Sequence, residues 1–248
     1  MIEIKNIAKA FGQKEVLKGI SCVLRQGEMN MIIGGSGTGK SVLLKCIIGL
    51  IRPDTGNVLY DGRDFYRSDQ EVQQSIRREM GVLFQGGALF DSQTVHQNIQ
   101  FPLDMLTMLP ESEKRERVEF CLQRVGLEGT GSRMPSEISG GMKKRVGIAR
   151  AIVMNPKYLF CDEPNSGLDP LTAVKIDELI KEITDEYKIT TVVITHDMNS
   201  VMEVGDNIIF LSQGYKAWEG DNQEIFRSDV AELNEFVFSN KLLRDIRG

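Results

Sequence analysis

The sequence lacks a long apolar segment. No run approaches the ~18 consecutive apolar residues that a membrane-spanning helix needs. The N-terminus, MIEIKNIAKAFG, also lacks the apolar core of a signal peptide. We therefore expect a cytosolic chain that enters a membrane process only through a partner.

Cysteine is scarce and scattered. The four cysteines form no CxxC pair, have no histidine cluster beside them, and mostly lie within apolar runs. This pattern is typical of buried free thiols rather than of metal ligands or disulfides. It favours a reducing compartment. The cysteines are Cys22, Cys46, Cys121 and Cys161.

An excess of positive charge is missing as well. The formal net charge is −5, which gives no general electrostatic attraction for nucleic acid or anionic lipid. No nucleic-acid partner is therefore expected, and any anion must be bound locally. With 248 residues, of which 41% are hydrophobic, the chain can bury a substantial core.

Short apolar strands alternate with helical patterns along the chain, which predicts an α/β fold with a largely parallel sheet. Asp61-Gly62 predicts a hairpin turn in a small antiparallel sheet. A helical region inserted between Gln85 and Tyr158 predicts a separate subdomain. The predicted strands are residues 1–7, 21–24, 28–33, 57–60, 80–84, 158–161, 190–195 and 207–211, and the predicted helices are 41–50, 172–187 and several within 94–155.

A glycine-rich loop, GGSGTGKS, lies between an apolar strand and a helix and matches the pattern GxxxxGK[ST]. Its small residues let backbone N–H groups converge on phosphate oxygens, and the helix N-terminus adds a positive field. Lys40 would reach the β- and γ-phosphates, and the Ser41 hydroxyl would ligate Mg²⁺. The loop comprises Gly34, Gly35, Ser36, Gly37, Thr38, Gly39, Lys40 and Ser41.

Polar side chains follow three other predicted strands. Asp162 suits the Mg²⁺ shell of a P-loop enzyme, and Glu163 could orient and deprotonate the attacking water. Gln85 could bond both the ion and that water, while His196 could bond the γ-phosphate or hold Glu163. Solvated loop charge is the alternative for the carboxylates, and simple exposure is the alternative for the histidine.

A second glycine-rich segment, EISGGMKKRVGIAR, begins a predicted helix. Ser139 is a suitable N-cap, and Gly140 and Gly141 follow it. The N–H groups of such a helix start could bind a terminal phosphate. The alternative is an ordinary capped helix whose basic run, residues 143–145, is a solvated face.

Taken together, these motifs resemble those of ABC-transporter ATPase subunits, in the same order and spacing and over nearly the whole chain. The resemblance implies a second copy or a paralogue that packs head to tail and shares two ATPs. It therefore gives the second glycine loop a role on the ATP of the other subunit. The motifs are Gly34–Ser41, Gln85, Ile138–Met142, Phe160–Pro164, Ser166–Asp169 and His196.

The resemblance also implies the domain organisation. It indicates one ABC ATPase domain over residues 1–248, with a RecA-like core and an antiparallel β subdomain at about 1–87 and 156–220. The inserted α-helical subdomain would span about 88–155. A C-terminal helical tail would span about 221–248, either packed on its own sheet or reaching the second subunit.

Individual roles follow from the same resemblance. Glu163 resembles the general base, His196 the switch histidine, and Asp162 a Mg²⁺ ligand beside Ser41 and Gln85. Ser139, Gly140 and Gly141 resemble the contacts made in trans to the γ-phosphate, and Asp169 couples the two sites. Phe11 lies where the family places an aromatic that stacks on adenine, with burial in the core as the alternative. Val42 follows the phosphate loop where Thr or Ser is usual.

The signature is unusual in having Met142 where the family more often has Gln. SGGM, together with GGSGTGKS and GALFDSQTVHQNIQFPL, resembles the ATPases of Mla-type, MCE-associated lipid transporters. That resemblance implies a peripheral position on the cytoplasmic face of the inner membrane, with an integral permease and an MCE-type lipid-binding subunit as partners. The alternatives are the ATPase of an importer for amino acids or another small solute, and a soluble ABC protein without a permease.

Overall fold

The computed structural model describes residues 1–238. The chain divides into two compact units: Met1–Ile76 with Thr190–Gly248, and Arg77–Ile189. The strands are β1 Ile2–Phe11, β2 Lys14–Leu24, β3 Met29–Ile33, β4 Thr55–Tyr60, β5 Arg63–Asp64, β6 Met80–Leu83, β7 Tyr158–Asp162, β8 Thr190–Ile194, β9 Asn207–Ser212 and β10 Tyr215–Gly220. The helices are α1 Lys40–Ile47, α2 Gln70–Arg78, α3 Val95–Leu106, α4 Glu111–Arg124, α5 Gly140–Ile152, α6 Pro170–Tyr187, α7 Met198–Val204 and α8 Ala231–Val237.

The first unit contains an antiparallel sheet in the order β2-β1-β4-β5. β1 and β2 pair from Ile2↔Leu24 to Phe11↔Lys14, so both strands are longer than predicted. The predicted hairpin turn is confirmed, because Asp61 has a positive φ of 47° and connects β4 to β5.

The first unit also holds the parallel strands that lead to the phosphate loop. All five residues of β3 are buried, and β3 pairs in parallel with both β8 and β9. Parallel strands buried on both faces read as continuous apolar runs, which is why the sequence located them. β10 pairs antiparallel with β9 and was not predicted, because its residues are only half-buried or exposed.

The second unit pairs β6 and β7 in parallel, from Met80↔Tyr158 to Leu83↔Cys161. The predicted helical region is confirmed as α3, α4 and α5, which contact one another. α5 lies close against β6: a Cβ placed at Gly81 would be 2.2 Å from the carbonyl oxygen of Ala151. Helix α2 was not predicted, because Ile76 is its only buried residue.

The tail packs on the first unit as far as the structure describes it. Leu233 and Val237 of α8 are fully buried, and the Phe236 ring lies 5.5 Å from that of Phe210 in β9. The packing prediction is confirmed for this part of the tail. Leu242 and Leu243, two further apolar residues of the predicted tail, lie outside the described residues.

All four cysteines are buried free thiols, which confirms the prediction from their scatter. Burial raises the pKa of Cys46 and of Cys121 to about 11, so these thiols stay protonated and unreactive near neutral pH. Among residues 1–238, no helix is long and apolar enough to cross a membrane.

Candidate nucleotide site

The phosphate loop joins β3 to α1 in the first unit. Lys40, the first residue of α1, is 8% exposed, and its Nζ donates at 2.8 Å to the carbonyl oxygens of both Gly34 and Gly35. Thr38 Oγ1 donates to Gly35 O at 3.0 Å. These bonds curl the loop around the ammonium group, so that its positive charge stands at the N-terminus of the helix.

Glycine is required at two positions of this loop. A Cβ at Gly34 would lie 2.3 Å from the carbonyl oxygen of Leu211, and φ there is +148°. A Cβ at Gly39 would lie 2.8 Å from Leu17 Cδ2, and φ there is +104°. Only glycine combines this backbone conformation with such close packing. Packing against Leu211 and Leu17 therefore fixes the backbone of the loop at both ends.

The rest of the loop is open. Ser36, Gly37 and Ser41 are exposed, and Val42 is half-buried on the first turn of α1. The Ser41 hydroxyl is therefore accessible to an ion or a phosphate. Val42 supplies no hydrogen-bonding group where the family usually has one.

Phe11 ends β1 in the same unit and is 49% exposed. The alternative that it lies buried in the core is wrong. Lys9 Nζ stands 5.6 Å from the centroid of its ring, and an exposed aromatic face of this kind can stack on a flat heterocycle.

His196 follows β8 in the first unit and is exposed. It directly precedes Asp197, the N-cap of α7, whose carboxylate accepts from Asn199 N at 2.9 Å. The capped turn fixes the main chain beside the histidine.

The second unit holds three of the predicted residues: Gln85 after β6, Asp162 at the end of β7, and Glu163 directly after β7. Gln85 Nε2 donates to Glu163 Oε2 at 2.8 Å, so the structure brings these two predicted residues together. Asp162 is half-buried at the end of β7. Glu163 has a left-handed φ of 47°, which turns the chain sharply after the strand.

The second glycine loop is the start of α5. Ser139 is its N-cap, as predicted, and its Oγ accepts from Met142 N at 3.3 Å. Ser139 and Gly140 are exposed and Gly141 is half-exposed. A Cβ at Gly141 would lie 2.7 Å from Thr172 Cγ2, whereas one at Gly140 would meet nothing closer than 3.8 Å. The exposed helix start can thus donate main-chain N–H groups to an anion.

Asp169 is the N-cap of α6 in the second unit. Its Oδ1 accepts from Thr172 N at 3.0 Å, and hydrogen bonds from Thr172 lower the pKa of Asp169. The carboxylate is exposed and stays ionised well below neutral pH.

The basic run of α5, residues 143–145, is not wholly solvated, which differs from the alternative given for it in the sequence analysis. Lys144 is only 6% exposed, and its Nζ donates to the carbonyl oxygens of Gln85 and Glu163. Burial lowers the pKa of Lys144, while Cys161, Glu163 and Asp162 oppose the shift. Helical spacing is the signal that could have found it, because Ile148 and Ala151, four and seven residues later, are buried on the same face.

Arg150, on the same helix, was also missed. Its guanidinium donates to Gly87 O at 2.5 Å and to Ala88 O at 2.8 Å. Both residues have left-handed φ values, 74° and 45°, which turn their carbonyl groups towards the arginine. The segment after Gln85 is therefore tied to α5 by its main chain.

The chemistry of the available donors fits ATP with Mg²⁺. The Ser41 hydroxyl and the Asp162 carboxylate are hard oxygen donors of the kind that Mg²⁺ prefers. Residues 1–238 contain no cluster of three or more His, Cys, Asp or Glu side chains that could hold a metal. Mg²⁺ shared with nucleotide phosphates does not need such a cluster, because phosphates and water complete its shell.

The fold and the phosphate loop define a P-loop nucleotide-binding protein. The family model for ABC transporters matches residues 17–166. The chain therefore belongs to the ABC transporter family, as an ATP-binding subunit with ATPase activity.

Two curated relatives illustrate the likeness. "Probable ribonucleotide transport ATP-binding protein mkl" of Mycobacterium leprae (strain TN) is 39% identical over 241 residues, covering 97% of this chain and 70% of the relative. "Methionine import ATP-binding protein MetN" of Brucella abortus (strain 2308) is 38% identical over 235 residues, covering 95% of this chain and 63% of the relative.

Two solved structures share the fold. The ATP-binding cassette MJ0796, in a dimeric post-hydrolysis state bound to ADP and Pi, has a TM-score of 0.80 and 33% identity, covering 90% of this chain and 99% of that one. cbiO1 from Clostridium perfringens, part of the ABC transporter complex cbiONQ, has a TM-score of 0.85 and 30% identity, covering 100% and 98%. The predicted α/β ABC-ATPase fold is confirmed.

Proposed function

We propose that this ATPase powers lipid transport through a separate membrane permease. Two copies, or one copy and a paralogue, bind two ATPs head to tail. Closure of the pair adds phosphate contacts that the open state lacks, so ATP binding drives the conformational change. Hydrolysis then resets the pair.

Within one subunit, the phosphate loop, from Gly34 to Ser41, binds the triphosphate, and Lys40 neutralises its β- and γ-phosphates. Phe11 stacks on the adenine. Glu163 accepts a proton from the attacking water, and Gln85, already bonded to its carboxylate at 2.8 Å, orients that water. His196 contacts the γ-phosphate.

Mg²⁺, when bound, supplies positive charge for the phosphates and would be held by Ser41 and Asp162 with Gln85. Ser41 and Asp162 both offer oxygen atoms to the ion. Phosphate binding and activation of the water are carried out by the protein's own side chains.

The trans contacts come from the start of α5. Ser139 Oγ and the N–H groups of Gly140 and Gly141 bind the γ-phosphate of the ATP on the other subunit, and Asp169 couples the two sites. The exposure of Ser139 and Gly140 supports this role. The dimeric state in which the related cassette MJ0796 was solved supports the pairing.

An apolar pocket of about 280 Å³ in the second unit supports docking to a permease. Phe90 and Phe101 line it with ring centroids 4.8 Å apart, and their exposed fractions are 40% and 36%. Leu103, two residues after Phe101 in the same segment, is buried. Exposed aromatic pairs of this kind suit a partner helix, and docking there would place the ATPase peripherally at the cytoplasmic face of the membrane.

The observation that supports the lipid assignment is the amino-acid sequence of two segments. Met142 in the signature and GALFDSQTVHQNIQFPL after Gln85 resemble the corresponding segments of Mla-type ATPases. The second segment contributes Phe90 and Phe101, two of the three aromatic residues that line the docking pocket, so its sequence bears on the choice of permease. An MCE-type lipid-binding subunit belongs to the same proposal.

An amino-acid importer is the second candidate. It is favoured by the 38% identity to a protein named for methionine import. The catalytic roles would be unchanged, because only the permease and the cargo differ between the two candidates.

Purification of the intact complex from its native membrane, followed by mass spectrometry of proteins and bound lipids, tests the proposal. We expect an integral permease, an MCE-domain protein and enriched phospholipid. A solute permease with a binding protein for amino acids would support the importer instead. Recovery of the ATPase without any membrane subunit would contradict both.

A further inference from the structure

Lys144 is a buried cation near the middle of α5, in the second unit. Its exposed fraction is 6%, and a buried ammonium group is costly unless hydrogen bonds compensate for the lost water. Two main-chain carbonyl oxygens provide that compensation: Gln85 O, and Glu163 O at 3.4 Å. The ammonium group of Lys144 therefore has specific protein partners in place of water.

The two residues that Lys144 holds are also bonded to each other. The Gln85 side chain donates to the Glu163 carboxylate at 2.8 Å. Lys144 thus bridges the main chains of two residues whose side chains meet. Because Glu163 has a left-handed φ of 47°, the direction of its carboxylate depends on contacts that stabilise an unfavourable backbone conformation.

The same helix begins with the second glycine loop. Ser139 is the N-cap of α5, and five residues along an α-helix correspond to about 7.5 Å. A rigid helix of this length transmits a displacement of its N-terminus directly to Lys144.

We propose that Lys144 is a positioning residue that links the two nucleotide sites of the ATPase pair. The start of α5 would touch the ATP of the other subunit, while Lys144 holds Glu163 and Gln85 of its own subunit. This inference rests on the proposed head-to-tail pairing and on the proposed roles of Glu163 and Gln85. Closure over one ATP then sets the geometry for hydrolysis of the other.

The test compares Lys144→Met, which keeps the length of the side chain and removes its donors, with Lys144→Arg, which keeps donors for the carbonyl groups. Lys143→Met is the matched control, since Lys143 is the neighbouring basic residue of the same helix. The steady-state ATPase rate of the intact transporter complex is measured against ATP concentration, and binding of a fluorescent ATP analogue is measured separately.

We expect Lys144→Met to lower kcat about 10- to 100-fold, the size of effect that misplacement of a catalytic group produces. Its Hill coefficient for ATP should fall towards 1. Its affinity for the analogue should stay within about twofold, which corresponds to less than about 0.5 kcal/mol. Lys144→Arg should recover a substantial part of kcat. Lys143→Met should behave as the wild type.

Hydrogen exchange supplies a readout that does not depend on activity. Amides in residues 84–88 and 162–166 should exchange faster in Lys144→Met than in Lys143→Met. If Lys144→Met does not assemble with the complex, Lys144→Gln takes its place, because its amide keeps donors but cannot span both carbonyl groups.

Unchanged kcat and Hill coefficient in the Lys144 variant would overturn the inference, and so would an equal loss in Lys143→Met. Failure of the proposed function gives a different result. If Glu163→Gln hydrolyses ATP normally, the general base is misassigned, whatever the Lys144 variants do.

Discussion

Glu163 adopts a backbone conformation that is unfavourable for a non-glycine residue. Its φ of 47° costs about 1–3 kcal/mol relative to ordinary helical or extended backbone. The conformation is held by hydrogen bonds: its carbonyl oxygen accepts from Ser166 N at 3.2 Å and from Lys144, and its carboxylate accepts from Gln85. Strain that is supported from several sides is typical of functional positions.

Replacing the carboxylate by an amide tests the role of Glu163. Glu163→Gln keeps the size of the side chain but removes the base, so we expect ATP to bind with normal affinity and turnover to fall at least about 100-fold, the upper part of the range for general-base catalysis. The variant should also accumulate as an ATP-bound dimer in size-exclusion chromatography. Normal steady-state hydrolysis would contradict the assignment.

Asp54 shows how one exposed carboxylate orders the end of β1. Its oxygens accept from Lys9 Nζ and from Ala10 N, both at 2.7 Å, next to the exposed ring of Phe11. These hydrogen bonds, the one from Lys9 foremost, lower the pKa of Asp54. They therefore stabilise the folded state only while the carboxylate is ionised.

The sign of the pH effect follows from that lowered pKa. The stabilisation by Asp54 is fully present above its unfolded pKa of about 3.9 and is lost as the pH falls through the lower folded value. The difference in free energy of unfolding between the wild type and Asp54→Asn should be constant near neutral pH and shrink below about pH 4. Urea titrations along a pH series measure it, and a difference independent of pH would disagree with this account.

At the scale of elements, α5 organises the second unit. It contacts α3, α4, α6 and β6. Lys144 and Arg150 on this helix donate to main-chain carbonyl oxygens of the segments that follow β6 and β7. The helix approaches β6 closely because Gly81 has no side chain: a Cβ there would lie 2.2 Å from Ala151 O, a backbone atom that cannot rotate away.

Adding that one carbon should be costly. We expect Gly81→Ala to lower the free energy of unfolding by about 1–3 kcal/mol, the usual range for overpacking a core. Gly86→Ala is the control, because a Cβ at Gly86 meets nothing within 4 Å. Chemical denaturation of both variants measures the difference, and equal stability of the two would show that α5 can move away from β6.

At the scale of the whole molecule, the chain carries one phosphate loop and one exposed second glycine loop. The two belong to different units: Gly34–Ser41 to the first and Ser139–Gly141 to the second. In the proposed pair, the phosphate loop binds the ATP of its own subunit, and the second glycine loop contacts the ATP bound to the other subunit.

A bulky cation at the second loop should prevent that pairing. Ser139→Arg should leave nucleotide binding intact but reduce the ATPase rate of the full complex at least about 10-fold, equivalent to about 1.4 kcal/mol at the transition state. Ser136→Arg introduces the same side chain at an exposed position three residues earlier and should have little effect. An unchanged rate in Ser139→Arg would count against the trans contact.

The sequence by itself located the residues of the candidate site. The phosphate loop between a buried strand and a helix, the Asp-Glu pair after another strand and the N-cap at Ser139 are local patterns, and local patterns can be read from adjacent residues. The packed parallel strands were found for the same reason, since their apolar runs are continuous. α2 and β10 were missed because neither buries a clear face.

Only the tertiary structure decided how the side chains far apart in the sequence meet. The bond between Gln85 and Glu163 joins residues 78 positions apart. Lys144 stands in a basic run that resembles a solvated face, yet it is buried, because α5 turns it towards two carbonyl groups supplied by other segments. Burial of a charge depends on partners brought in by the fold, and the order of residues along one helix does not specify those partners.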